Sequence, residues 1–375
     1  MQNNISQEKM HLYERVVYIT RLTSIGDALI ASHSVVKLIK NNYFPVFITS
    51  SSNIAIAQKI IGLKSYIIFD SKDKIDFYIE NKQVDKEYFL NFITSIPKNK
   101  KEIFIDLQKT TRSKKCFKHL IKENKIFIEK KFFIKKMTLY RFFLIFLSFF
   151  YFKQKNKSST TKYKKIREIQ DLLINKIIQK DNKSFVTDFN NKEIILTTKS
   201  IIPELFSCKN YICIFPGSSG FIKSWPKEKF RLLISEIINK TNLSVIICGA
   251  EKETFIGDYL CFPKNNRVIN MVNKTTLEQS LNIIANCKYL VSNDSFAGHA
   301  ADIFNIPASI IFGSTSPKFG FVPLNSNISI EYNYLSCSPC TRHGHSQCRF
   351  KNLKCLQNID QKNIFLKIKE FDSIN

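Results

Sequence analysis

The stretch Tyr211–Phe230, YICIFPGSSGFIKSWPKEKF, decides how the second half of this chain folds. Its first residues read as a buried strand, Pro216 and Gly217 end it, and Pro226 opens a segment with helical spacing, in the first-turn position where proline is tolerated. Between strand and helix lie Gly217, Ser218, Ser219 and Gly220. Small residues let backbone N–H groups approach a phosphate, and hydroxyls add donors. Lys223 supplies a mobile positive charge suited to a diphosphate. A Gly/Ser turn alone is also what a plain tight turn looks like; the Lys-x-Trp-Pro that follows makes the reading more specific.

The same pattern recurs on both sides. Downstream, LSVIICGA (243–250), RVINMV (267–272), YLVSND (289–294) and PASIIFG (307–313) read as strands separated by helices. Upstream, RVVYIT (15–20) leads through RLTSIGD into a helix, and PVFITS (45–50), SYIIFD (65–70), EIFIDLQ (102–108) and KIFIEK (125–130) continue the series. A helix over 166–180 and a strand-like EIILTT (193–198) follow. Short apolar strands alternating with helices predict parallel sheets with crossover connections. At 375 residues two domains are expected. The boundary is placed in the linker region 192–209, giving domains 1–205 and 206–375.

The alternation breaks in a basic and apolar insert near 131–165. Its run Phe142–Phe152 is apolar apart from Ser148 and is flanked by Lys and Arg141. Crossing a bilayer takes roughly 20 apolar residues, so this run is too short to span one. It reads either as a helix lying on an anionic membrane surface or as a core helix beside a basic surface, with an exposed polar loop after it. The net charge of +26 calls for an anionic partner: nucleic acid, membrane surface or phosphorylated substrate. A coding bias toward Lys, Ile, Asn and Phe accounts for the same excess. No recognised nucleic-acid-binding pattern is present, so nucleic acid is not expected as the partner. The N-terminus is polar and shows no secretory signal. Cys116, Cys208, Cys213, Cys248, Cys261 and Cys287 are scattered, several in apolar runs, as reduced core residues of a cytoplasmic protein would be.

In open α/β sheets ligands bind at the carboxyl ends of strands, and three further strand ends carry suitable residues. Asp294 can accept sugar hydroxyls or cap a helix; Ser295 and the amides after it can hold phosphate; His299 is a ligand or a structural histidine. Glu253, after the strand ending at Cys248, can take both hydroxyls of a ribose or sit as a first-turn acid. In the other half Asp27 is a general base or a cap.

RLTSIGDALIAS, EIFIDLQKTTRS, FPGSSGFIKSWPKEKF, the segment from Ile269 through NDSFAGHAA, and IPASIIFGSTSP, in this order, resemble glycosyltransferase family 9, the lipopolysaccharide heptosyltransferases. The resemblance covers most of the chain. It implies a GT-B fold, two Rossmann-like domains facing across a cleft, with the acceptor on the N-terminal domain and an ADP-heptose donor on the C-terminal one. It implies an inverting transfer with Asp27 as general base and no cofactor needed for catalysis. Ser218, Ser219, Lys223 and Ser295 would hold the diphosphate, Glu253 the ribose and Asp294 the heptose, with Thr275 near the adenine. Lys223 would also stabilise departing ADP. The implied acceptor is a lipid-linked, phosphorylated core oligosaccharide, either lipid A–Kdo or already heptosylated. The implied location is cytoplasmic, peripheral on the anionic inner membrane. Phe296 departs from the glycine usual in the family and puts the sugar in question, so another nucleotide sugar for a different surface glycan is the alternative. A non-catalytic sugar-nucleotide binding protein is a third reading.

Cys337, Cys340, Cys348 and Cys355 form a C-terminal cluster, with His343 and His345 between them. The spacing admits a structural tetrahedral zinc, free thiols or disulfides.

Overall fold

The computed structural model describes residues 12–71, 74–124, 126–135, 137–149, 165–181, 196, 210–261, 263–344 and 347–374. The chain gathers into two compact units. One is formed within Met1–Lys136 and Arg167–Phe189, the other within Met137–Ile166 and Asn190–Asn375. The expected boundary at 205/206 lies outside the described residues, as does EIILTT apart from Leu196.

In the first unit the apolar runs become strands β1 (Val16–Thr20), β2 (Phe44–Thr49) and β3 (Ser65–Ser71), then β4 (Lys74–Ile79) and β5 (Lys82–Val84), and finally β6 (Ile103–Asp106) and β7 (Lys130–Phe133). They form one sheet in the order β5-β4-β3-β2-β1-β6-β7. The strands from β3 through β7 across the sheet are parallel; β4 and β5 add antiparallel at one edge. Helices α1 (Ile25–Lys40), α2 (Ile54–Ala57), α3 (Lys86–Ser95) and α4 (Thr111–Asn124) connect them. The crossover α1 starts where Ser24 Oγ accepts the Asp27 N–H at 3.2 Å, and it carries Asp27 in its first turn and Lys37 and Lys40 in its last, matching the helix dipole at both ends. Val16, Tyr18, Val46, Ile48, Ile67 and Phe104 are the centre of a core that α3 and α4 close.

Two readings need correction here. KIFIEK is not the edge strand: β7 lies downstream, with Lys130 opposite Ile103 of β6. Lys131 fits there because its ammonium lies over an aromatic face, 3.4 Å from the Phe117 ring centroid. The β4–β5 hairpin was unanticipated, yet it is locally encoded. Glu80 and Asn81 both have positive φ, 47° and 66°, between paired Ile79 and Lys82, the two-residue turn whose twist suits antiparallel strands.

Helix α5 (Thr138–Phe149) is the apolar insert. It groups with the second unit rather than the first. Buried Arg141 explains why: its Nε donates to the Phe319 carbonyl at 3.1 Å and its guanidinium lies over the Phe321 ring. Helix α6 (Ile166–Asp181) returns to the first unit, where Asp181 accepts from Arg15 at 2.8 Å and from the Tyr43 hydroxyl at 3.1 Å.

The second unit is a doubly wound sheet of six parallel strands: β8 (Tyr211–Phe215), β9 (Ser244–Ile247), β10 (Val268–Asn270), β11 (Tyr289–Asn293), β12 (Ala308–Phe312) and β13 (Ile328–Tyr332). Their order is β10-β9-β8-β11-β12-β13, the Rossmann order. Helices α7 (Lys227–Lys240), α8 (Thr254–Leu260), α9 (Leu277–Ala285) and α10 (Phe296–Ile303) are the crossovers, and α11 (Lys354–Gln357) and α12 (Gln361–Ile374) end the chain. Ile364, Phe365 and Ile368 of α12 join the core built on β8, β9 and α7. Five buried residues in each of β8, β11 and β12 are what a sheet covered on both faces demands.

Candidate functional site

In the second sheet the chain winds one way from β8 through β10 and the other way from β11 through β13, so the order reverses between β8 and β11. That reversal opens the crevice in which doubly wound sheets take ligands. The two loops singled out from sequence leave the sheet there, one after Phe215 and one after Asn293.

The first residue of the second segment joins them. Asn293, fully buried, accepts the Trp225 N–H on Oδ1 at 2.9 Å and donates from Nδ2 to the Pro216 carbonyl at 2.6 Å. At the end of an apolar strand it looked like a strand terminus; only its long-range partners reveal the role. Asn293→Ala leaves a buried N–H and a buried carbonyl without partners. We expect a loss of about 2–4 kcal/mol in denaturant unfolding; a loss below about 0.5 kcal/mol, the size of an ordinary surface substitution, would show that the loops hold without it.

Lys223 is 9% exposed and its Nζ lies 2.8 Å from Asp294 Oδ2. Thr315 Oγ1 donates to the same oxygen at 2.9 Å. The carboxylate expected to meet sugar hydroxyls thus also fixes the lysine. Gly344 packs on the lysine stem: a Cβ there would sit 2.3 Å from Lys223 Cγ, and its φ of 82° itself favours glycine. Gly220 faces the Gly344 carbonyl, which a Cβ would meet at 2.0 Å. Ser218 Oγ donates to the Gly220 carbonyl at 2.7 Å and lies 2.8 Å from Ser224 Oγ, so its hydroxyl shapes the loop. Exposed Ser219 donates to the His343 carbonyl at 3.3 Å.

The other residues expected to serve the donor lie elsewhere in the second unit. Glu253 is buried, and its Oε2 accepts the Ala250 N–H at 2.8 Å, so it does serve the first-turn acid role. It also lies against the phosphate-type loop, since a Cβ on Gly217 would come 2.6 Å from its Cδ. Ser295 caps α10 by accepting the Ala297 N–H at 3.4 Å. Phe296, next in the chain, packs edge-on against Phe215 with centroids 5.5 Å apart. His299 is half-buried on α10. Thr275 Oγ1 is 2.8 Å from Ser280 Oγ.

The first sheet reverses between β1 and β6. Asp27, after β1, is ion-paired with Arg21, whose other terminal nitrogen donates to the Leu107 carbonyl after β6 at 2.6 Å. Gln108 accepts the Leu22 N–H on Oε1 and donates to Thr23 Oγ1, both at 2.8 Å. Fully buried Asp106 accepts the N–H groups of Gln108 and Lys109 and the Ser113 hydroxyl. Arg21, Gln108 and Asp106 were not singled out in sequence, although all three lie in its quoted segments.

Cys337, Cys340, Cys348 and Cys355 line one small cavity with Arg349 and Phe350. All four are free thiols. Among the described residues no group of three or more His, Cys, Asp or Glu is placed to hold a metal ion, so the zinc expectation gains no geometric support; His345 lies outside the described residues. Burial pushes the Cys337, Cys340 and Cys355 thiols up, the last to about 12. Burial acts on Cys348 in the same direction, but backbone N–H groups of residues 350–353 together outweigh it and leave that thiol below its ordinary value. The thiolate is the nucleophile. Iodoacetamide near neutral pH should therefore label Cys348 ahead of the other three, its rate falling as pH drops through the lowered value. Peptide mapping that finds Cys337 or Cys340 labelled first would contradict this order.

Two Rossmann-type units, one with a lysine-bearing phosphate-type loop at its switch point and the other with a carboxylate–arginine pair at its own, are the organisation of the GT-B class. The profile of glycosyltransferase family 9 (heptosyltransferase) matches residues 163–353. The chain belongs to that family and is a glycosyltransferase. It is 26% identical over 229 residues to lipooligosaccharide heptosyltransferase 2 of Campylobacter jejuni, a match covering 60% of this chain and 68% of that one. Matches to such relatives span from 31% to 68% of their length. Among solved structures, E. coli ADP-heptose lipopolysaccharide heptosyltransferase II superposes with a TM-score of 0.58 at 15% identity, over 95% of this chain and 98% of that one. A glycosyltransferase family 9 protein of Veillonella parvula gives 0.62 at 15%, over 96% and 98%. At such identity these two likenesses speak for the fold.

Proposed function

We propose that this enzyme moves a heptose from ADP-heptose to the core of a lipopolysaccharide or lipooligosaccharide acceptor, with inversion at the anomeric carbon, working peripherally at the cytoplasmic face of the inner membrane. The observation that carries the reading is Lys223, buried at the switch point, fixed by Asp294 and walled by Gly344. The names of the relatives supply the sugar and the acceptor.

In the proposed reaction the Asp27 carboxylate removes the proton from an acceptor hydroxyl. The freed oxygen pair forms the new bond to the anomeric carbon while the bond from that carbon to the diphosphate oxygen breaks on the opposite side. Negative charge grows on the departing diphosphate, where Lys223 and the amides of the 217–220 loop are aimed. Arg21 orients Asp27 through their ion pair; Asp294 orients Lys223 in the same way, leaving its second carboxylate oxygen for the heptose. Glu253 and Thr275 serve the ribose and adenine side. No catalytic metal is invoked, because the leaving-group charge is met by fixed protein donors.

Transfer from ADP-heptose to a deep-rough lipopolysaccharide acceptor tests this directly. A panel of nucleotide sugars in a thermal-shift assay tests the donor: stabilisation by ADP-heptose above the others is expected. Phe296, seated on Phe215, is the observation favouring a different sugar, and preferential stabilisation by another nucleotide sugar would move the reading there.

A further inference from the structure

The aromatic face of α5 has no role in the chemistry above. Leu139, Phe142, Phe143, Phe146 and Phe149 recur at intervals of three or four along this helix, so they share one side. They are 86%, 54%, 55%, 58% and 52% exposed. The opposite side, with Arg141, Leu144 and Ser148, is buried against its own unit. Single exposed apolar residues are ordinary; a continuous stripe of five on three turns of helix is not. Two arginines from the cysteine-rich segment border it. Arg349 lies 4.2 Å from the Phe149 ring centroid and donates to the Ser148 carbonyl at 3.1 Å, and Arg342 lies 5.7 Å from the Phe142 centroid.

We infer that this face of α5 is the element that seats the protein on an anionic lipid bilayer, lying in the interface with its phenylalanines among the acyl chains and Arg342 and Arg349 at the headgroups. Charge selects the occupant. The chain carries +26, and two guanidinium groups from the cysteine-rich segment frame the apolar stripe, so apolar and cationic groups lie side by side, as an anionic membrane surface requires. Length selects the orientation. The 12-residue helix is about 18 Å long against a hydrocarbon core of about 30 Å, and among the described residues no helix is long and apolar enough to cross a membrane. A second copy of this chain, bearing the same arginines and the same excess charge, is a poorer match.

The inference does not depend on the sugar transferred, and the two are read separately. The full-length protein is floated with vesicles of phosphatidylcholine alone or with added phosphatidylglycerol, without donor. Binding is expected only with the anionic lipid. Phe142→Ser/Phe143→Ser/Phe146→Ser is expected to weaken it about 100-fold, while transfer to a deacylated, water-soluble acceptor stays at the wild-type rate. Because the single tryptophan, Trp225, is buried, Phe146→Trp gives a local probe whose emission should shift to the blue when anionic vesicles are added. Unchanged flotation of the triple variant, or flotation without a shift at position 146, overturns the assignment. So does a wild-type dimer in sedimentation that the triple variant dissociates, since a second copy would then cover the face.

Discussion

Asp27→Ala is expected to lower kcat about 1,000-fold, with the KM for the sugar nucleotide nearly unchanged. Asp27 lies in the first unit, whereas the donor-side loops all belong to the second, so its removal should leave donor binding intact. The loss, about 4 kcal/mol of transition-state stabilisation, is that of a general base whose work falls to water. Arg21 sharpens the test. It pairs with Asp27 while anchored to Leu107, and Gln108 holds the adjacent Leu22 and Thr23 in the loop between β1 and α1. Asp27→Asn therefore keeps the shape and loses only the basic oxygen, and it should be nearly as inactive as the alanine variant. Steady-state kinetics with ADP-heptose and a lipopolysaccharide acceptor measure both. Full turnover by either variant would remove Asp27 from the chemistry.

Lys223→Met should cost about 100- to 1,000-fold in kcat/KM for the donor, the range for removing one group that meets developing negative charge. Two effects combine. The proposed diphosphate site loses the cation that Asp294 fixes, and Asp294, left with Thr315, would present an unpaired carboxylate to the same anion. The second effect is separable. In Lys223→Met/Asp294→Asn that repulsion disappears, so the double variant should recover part of what the single one lost, and the two substitutions should fail to add. An additive pair would mean that the carboxylate does not act through the lysine.

The wound sheets were legible because their strands are unbroken apolar runs, and the loops proposed for the donor stood out because small residues and a lysine follow those runs at short range. β7 was misplaced because the local apolar run at Ile126–Ile128 is stronger than the KKFF that pairs with β6, where Lys131 lies over the Phe117 ring. The hairpin of β4 and β5 was hidden by charged residues on its exposed edge, and its Glu80–Asn81 turn lacks the glycine that usually marks such turns. The α5 insert was read as part of the N-terminal domain, 1–205, because nothing local shows that the carbonyl partner of Arg141 lies 178 residues downstream, in the second unit. The bridging role of Asn293, and Gly344 altogether, were missed for the same reason: each acts on a segment far away in sequence, and nothing local marks the contact.

The link from Asn293 to Pro216 spans 77 residues of chain. Closing a loop of that length is entropically dearer than the shorter closures that pair β8 with β9 and β9 with β10, so the pairing of β8 with β11 should come later. The donor pocket should therefore be among the last parts of the second unit to form and among the first to come apart. A bound sugar nucleotide, which recognises only the closed arrangement, would act as a clasp on it.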